Sequence, residues 1–142
     1  MKTYPTNENQ RLLSQIAAQR IGCPPFPEPC TSIGFVRADT NALVGGVTFA
    51  GYTGSEIWGS IWVDDPIMWT RTNLRHMFDY PFNVCKVRRL AAIVKGDNNK
   101  SLRVIKKMRF QQEGVSRQFF GPETDGVLFG MLREECKWID HG

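Results

Sequence analysis

A chain of 142 residues, 42% hydrophobic and 23% charged, fits one domain able to bury a core without disulfides or metal. No apolar run is long enough to cross a bilayer, and Met1 to Glu8 has neither the apolar stretch nor the small-residue site of a secretion signal. A cytoplasmic protein with no membrane partner is therefore expected. The net charge of +4 is unevenly laid out: Arg71 to Arg117 holds twelve Lys and Arg against three acids (Asp79, Asp97, Glu113), while the remainder holds six against eleven. That segment is suited to an anionic partner, a nucleotide or a nucleic acid, unless it is simply a solvated face.

Helical spacing starts early. Asn7 is placed to cap a helix, with Gln10 closing a box-like pair; Leu12, Leu13, Ile16, Ala17 and Ile21 recur on one face, and Gly22 is a natural stop. Pro24, Pro25, Pro27 and Pro29 then impose a stiff loop. Ser32–Arg37, Leu43–Tyr52 and Glu56–Val63 read as strands joined by turns short enough for antiparallel hairpins. A helix follows over Thr70–Tyr80, with Leu74, Met77 and Phe78 inward and Pro81 ending it. Arg89–Val94 is an apolar strand covered on both faces, Lys100–Met108 a basic helix with Leu102, Ile105 and Met108 inward, and Gln111–Phe119 and Val127–Arg133 two last strands. This order predicts one α/β domain, a mostly antiparallel sheet with helices on its faces.

Cys23, Cys30, Cys85 and Cys136 form no C-x-x-C pair, and the histidines, His76 and His141, lie far apart. No metal is expected, and the thiols read as free.

The segment Arg89 to Arg117 carries a short strand, Asn98-x-x-Ser101, a helix, then Met108-Arg109-Phe110, Glu113-Gly114 and Arg117. With Phe78–Phe82 and the tail Gly130–Trp138, this resembles the GNAT superfamily of N-acetyltransferases, especially its ribosomal-protein-acetylating and phage-encoded members. The resemblance is sharp from about Phe78 onward and rests on element order before it. It implies a splayed mixed sheet in which the strands at Glu56–Val63 and Arg89–Val94 part at one end around acetyl-CoA. By the same mapping, backbone groups of Ile61, Trp62 and Val63 would pair with the pantetheine arm, and Asn98 and Ser101 would face the cofactor. Arg71, Thr72, Asn73 and Arg75 would meet the pyrophosphate at the start of their helix. Glu56 stands where family members often place the base that deprotonates the amine.

The sequence also departs from that family. Its phosphate loop is normally glycine-rich, whereas no glycine occurs between Gly59 and Gly96; Arg109 replaces the glycine of an L-G-F motif; and Ile105 stands where many members carry an acid-donating tyrosine. The first strand must be very short, around Thr3-Tyr4, or missing. For each candidate a plainer role stays open: a solvated face for Arg71 and Arg75, a helix cap for Asn98, a surface carboxylate for Glu56. The aromatic side chains Trp58, Trp62, Trp69 and Phe26 are candidates for an acceptor pocket or for core. The resulting expectation is acetyl transfer from acetyl-CoA to a primary amine, directly in a ternary complex. The rivals are a nucleic-acid-associated protein, a tRNA-directed acetyltransferase, or a non-catalytic protein of the same fold. Oligomeric state is open, a homodimer included.

Overall fold

The computed structural model describes residues 2–141. In chain order they form β1 (Thr3–Thr6), α1 (Gln10–Ile21), β2 (Cys30–Arg37), β3 (Leu43–Ala50), β4 (Glu56–Val63), α2 (Arg71–Asp79), β5 (Arg89–Lys95), α3 (Asn99–Lys107), β6 (Gln111–Gly121) and β7 (Thr124–Leu132). Short 3-10 turns at Pro66–Met68 and Arg133–Glu135 and a π turn at Tyr80–Val84 supplement them. The short first strand exists: Thr3 to Thr6 pairs with Arg37 to Gly34 of β2.

One seven-stranded sheet runs β1-β2-β3-β4-β5-β7-β6, antiparallel at every step except the parallel pair β4–β5. That pair is hydrogen-bonded only from Glu56↔Arg89 to Trp58↔Ala91. Beyond it β4 stays on β3 as far as Val63↔Gly45, and β5 stays on β7 as far as Lys95↔Gly126. The sheet therefore splits down its middle, leaving the facing edges of Gly59–Val63 and Ala92–Lys95 outside the ladder.

Strand alternation fixes the two sides of the sheet. Phe35, Val47, Phe49, Ile57, Leu90, Phe129 and Met131 meet Met77 and Phe78 of α2, Phe82, and Ile105 of α3 in one core, all nearly inaccessible. Each fully buried side chain of this kind contributes roughly 1.5–3 kcal/mol. The other side of β3 and β4 lies under α1, through Leu13, Ala17 and Ala18.

Two local expectations are corrected. The cap of α1 is Asn9, in left-handed backbone (φ 55°), whose side chain accepts from Leu12 N at 3.2 Å. Gln10 still reaches Asn7, its Nε2 donating to Asn7 O at 2.8 Å, and it also ties the helix start to the sheet: Nε2 donates to Ser32 O at 2.8 Å and Oε1 accepts from Ser32 N at 2.6 Å. Pro81 does not end the helical segment either. Its missing N–H is harmless at the first turn of the π segment, and the chain continues until Cys85 N donates to Tyr80 O at 2.9 Å.

Candidate active site

The split between β4 and β5 opens a cavity of about 380 Å³. Its floor is apolar, with Val47, Phe49, Met77, Phe78, Leu90 and Ile105. Its β4 wall is Gly59 to Val63, and its β5 wall is Ala92 to Lys95. At the split Gly59 is closely approached: a Cβ there would lie 3.3 Å from Leu90 Cδ1 and 3.4 Å from Phe49 Cε1, so the Leu90 side chain would have to give way slightly. Behind the β4 wall Gly46 leaves room for the Trp62 indole, since a Cβ at Gly46 would sit 2.9 Å from Trp62 Nε1.

Charge gathers at the open mouth. Arg20, at the end of α1, donates through Nε to both carboxylate oxygens of Asp64 at 3.1 and 3.0 Å, and its guanidinium lies 5.6 Å over the Trp62 ring. Lys95 Nζ lies 5.7 Å over the Phe120 ring. Lys100 and Ser101, from the first turn of α3, line the same mouth. Asn98 lines it too and caps α3, its Oδ1 accepting from Ser101 N at 3.1 Å. Burial pushes the Cys23 thiol up, with a backbone hydrogen bond and the Lys95 charge pulling the other way.

At the closed end, Arg89 binds two carboxylates. Its Nε donates to Glu56 at 2.7 Å, and its two terminal nitrogens fork onto Glu113 at 3.0 and 2.8 Å. Those bonds, Glu113's before Glu56's, raise the guanidinium above its ordinary value, and the Arg89 contact lowers Glu113. Bidentate charge-assisted geometry of this sort fixes side-chain positions as well as adding energy.

Of the residues singled out from sequence, Ile61, Trp62, Val63, Asn98 and Ser101 come together on the cavity wall. Glu56 is not in the lining: it sits at the closed end, where β4 and β5 are still paired, bonded to Arg89. Arg71, Thr72, Asn73 and Arg75 stand outside the lining. Asn73 points inward and is 1% exposed; its Nδ2 donates to Thr3 Oγ1 at 2.7 Å and to Met68 O at 2.9 Å. Arg75 is paired with Asp140 at the surface. Trp62 is buried, whereas Trp58 and Trp69 are half-buried.

Arg20, Lys95, Phe120 and Arg89 were not foreseen. Arg89 and Lys95 bracket the apolar run of β5, and a charge at each end of an otherwise apolar strand was the available signal. No group of three or more His, Cys, Asp or Glu is arranged to hold a metal ion among the described residues. No helix among them is long and apolar enough to cross a membrane.

No family model and no curated protein matches the chain. Solved structures do. The spermidine/spermine N-acetyltransferase SpeG of Vibrio cholerae superposes with a TM-score of 0.72 at 15% identity, covering 92% of both chains. An acetyltransferase of the GNAT family from Bacillus anthracis gives 0.61 at 20% identity, over 73% of this chain and 67% of that one. The chain has the GNAT fold. A further structure, described as "Probable acetyltransferase", gives 0.62 at 19% identity over 75% of this chain, which spans only 62% of that protein's length. In this chain the split between β4 and β5 is what opens the cavity.

Proposed function

We propose that the protein is an acetyl-CoA-dependent N-acetyltransferase that moves acetyl to a primary amine by direct transfer in a ternary complex. The observation that carries this reading is the split itself: the β4 edge from Gly59 to Val63 faces an apolar cleft with no strand partner. An extended amide-bearing chain adds to such an edge as another strand would. A pantetheine arm has that shape and chemistry, so the residues present suit it. Backbone groups of Ile61, Trp62 and Val63 would pair with the arm, and Asn98 and Ser101 would meet it from the opposite wall. The co-substrate supplies an acetyl group activated as a thioester.

What the chain itself must do is modest. It aligns the amine nitrogen on the carbonyl, keeps water from the cleft, and takes one proton from the amine. The new C–N bond forms, the C–S bond breaks, and the leaving thiolate takes up a proton. Ile105, buried at 5% exposure and lining the cleft, offers no acid, so that proton comes from water or another side chain. Glu56 is the candidate base. Arg89 binds only its Oε1, which leaves Oε2 to accept a proton through a bridging water. Because its co-substrate is an intracellular metabolite, the enzyme would work in the cytoplasm.

A second reading, an acceptor carried on nucleic acid, is supported by α3. Lys100, Arg103, Lys106 and Lys107 have no acidic partner among the described residues, and such a stripe suits a phosphate backbone. The test is a thermal shift with acetyl-CoA, followed by mass spectrometry of an amine panel comprising spermidine, lysine peptides, peptide N-termini and aminoacyl-tRNA. Stabilisation by mass action is expected, with a gain of about 42 Da on at least one acceptor, the mass of an added acetyl group less the displaced hydrogen. Binding without any product would leave a non-catalytic protein of this fold. No shift at millimolar acetyl-CoA would refute the reading.

A further inference from the structure

A second cavity, of about 300 Å³, lies between the π turn, the segment leading into β5 and the 3-10 turn after β7. It shares no lining residue with the cleft between β4 and β5. Arg88, in its lining, immediately precedes β5, so roughly 20 Å of strand separates it from Lys95 at the mouth of that cleft. Three cations line the second cavity, Lys86, Arg88 and Arg133, against one acid, Glu134, which is exposed. None of the four forms an ion pair with any described residue. Arg89, next in the chain, is the contrast: Glu56 and Glu113 take up its charge. Like charges around one cavity repel, and an anion placed between them relieves that repulsion.

The three cations are also positioned. Arg133, half-buried, donates through Nη2 to Asn83 Oδ1 at 2.7 Å, and Asn83 Nδ2 donates to Asp79 Oδ1 at 2.6 Å. The group that orients the guanidinium is thus a neutral amide, itself held by a carboxylate. Arg133 is fixed in direction without being neutralised, which leaves its other N–H groups for a forked contact with an oxyanion. The sheet brings Arg88 alongside: Arg133 N donates to Arg88 O at 3.0 Å, one step past the Arg89↔Leu132 pair. Lys86 stands in left-handed backbone, φ 58°, where glycine costs least, so its side chain is placed at the expense of folding. Strain at a pocket residue points to binding. We propose that this cavity binds a phosphate group, carried by a small phosphomonoester or free. Three cations less one carboxylate leave a net charge of +2 in the lining, which suits the dianion that a phosphate approaches at neutral pH. Buried Phe82 and Val87 give the carbon part of an ester an apolar floor. The site is independent of whatever the β4–β5 cleft holds.

Titration of the protein with glycerol phosphate, inorganic phosphate and glycerol, followed by amide chemical shifts, tests this. Saturable shifts are expected at Lys86, Arg88 and Arg133 with both phosphates and none with glycerol. Tighter binding of glycerol phosphate would assign the site to monoesters, and equal affinity to free phosphate. Arg88→Gln/Arg133→Gln should weaken phosphate binding roughly tenfold or more by removing charge-assisted bonds. Lys86→Gly should weaken it severalfold without lowering the melting temperature, since glycine suits the left-handed position; this variant keeps the test sharp should the arginine pair be needed for folding. Lys106→Gln/Lys107→Gln removes the same charge from exposed positions of α3 and should leave phosphate binding unchanged. Shifts confined to Lys95 and Ser101, an equal loss in the α3 variant, full affinity in Lys86→Gly and in the arginine variant, or no saturation by either phosphate at millimolar concentration would each overturn the proposal.

Discussion

Asn73 separates a ligand role from a structural one, and its geometry gives the size of the effect. Its side chain joins three parts of the chain: α2, which carries it, β1 through Thr3 Oγ1, and the 3-10 turn through Met68 O. Asn73→Ala deletes two hydrogen bonds, each with a net worth of about 1 kcal/mol. The groups left behind moderate the loss. Met68 O still accepts from Thr70 N at 2.8 Å, and Thr3 is half-buried on an edge strand where water can reach it. Neither becomes a wholly orphaned polar group, so the expected cost is about 2 kcal/mol and not the roughly 4 or more of two stranded partners. Asn73→Asp should cost more at neutral pH, because it places a carboxylate at a 1% exposed position with no cation bonded to it. Urea unfolding followed by tryptophan fluorescence measures both, and CoA titration of the folded variants measures the alternative. A variant Asn73→Ala stable to within about 0.5 kcal/mol of wild type, yet tenfold weaker for CoA, would refute the structural assignment.

Three further outcomes are expected. Glu113 has its folded pKa below the ordinary 4.5 because Arg89 holds it; stability from this contact is therefore full above the unfolded value and fades as pH falls through the folded one. Arg89→Met should flatten the acid limb of a melting-temperature profile below about pH 5, and an unchanged limb would remove the network from acid stability. Gly45→Ala should cost about 2 kcal/mol by overpacking, because a Cβ there lies 2.7 Å from Trp62 O and 3.3 Å from Val63 Cα, with Met68 Sδ also in the way; wild-type stability by urea unfolding would contradict this. Glu56→Gln should lower kcat on the order of tenfold to a hundredfold, and the wild-type pH profile should show one ascending limb. A wild-type rate for the variant at all pH values would leave the amine's proton to bulk water.

Most strands and helices were legible because period and punctuation agree at each: β4 begins and ends where Glu56 and Asp64 bracket its apolar run. The misses are tertiary. Asn7 and Gln10 do meet, but the cap itself is Asn9, and Gln10 also bonds Ser32, 22 residues away, a contact that no window of sequence contains. Glu56 was legible as the acid of its strand. Its bond to Arg89 was not, because that bond depends on the parallel pairing of β4 with β5, which places Glu56 opposite Arg89.

At the phosphate turn the residues alone point one way and the fold another. The lack of glycine between Gly59 and Gly96 says that this backbone cannot approach a pyrophosphate closely, and charge from Arg71 and Arg75 is then the natural substitute within the same stretch. Folding adds facts that narrow the choice. Asp65 turns its carboxylate back on Ile67 N and so consumes the turn's own donor. Meanwhile Arg75 is paired with Asp140 at the surface, and α2 directs Asn73 into the core instead of toward the cleft. Arg71, at the first position of α2, has no acidic partner among the described residues and is the arginine left to carry charge at this turn. Lys95 and Lys100 line the cavity from its opposite wall, because β5 diverges from β4 without leaving β7 and α3 begins where β5 ends.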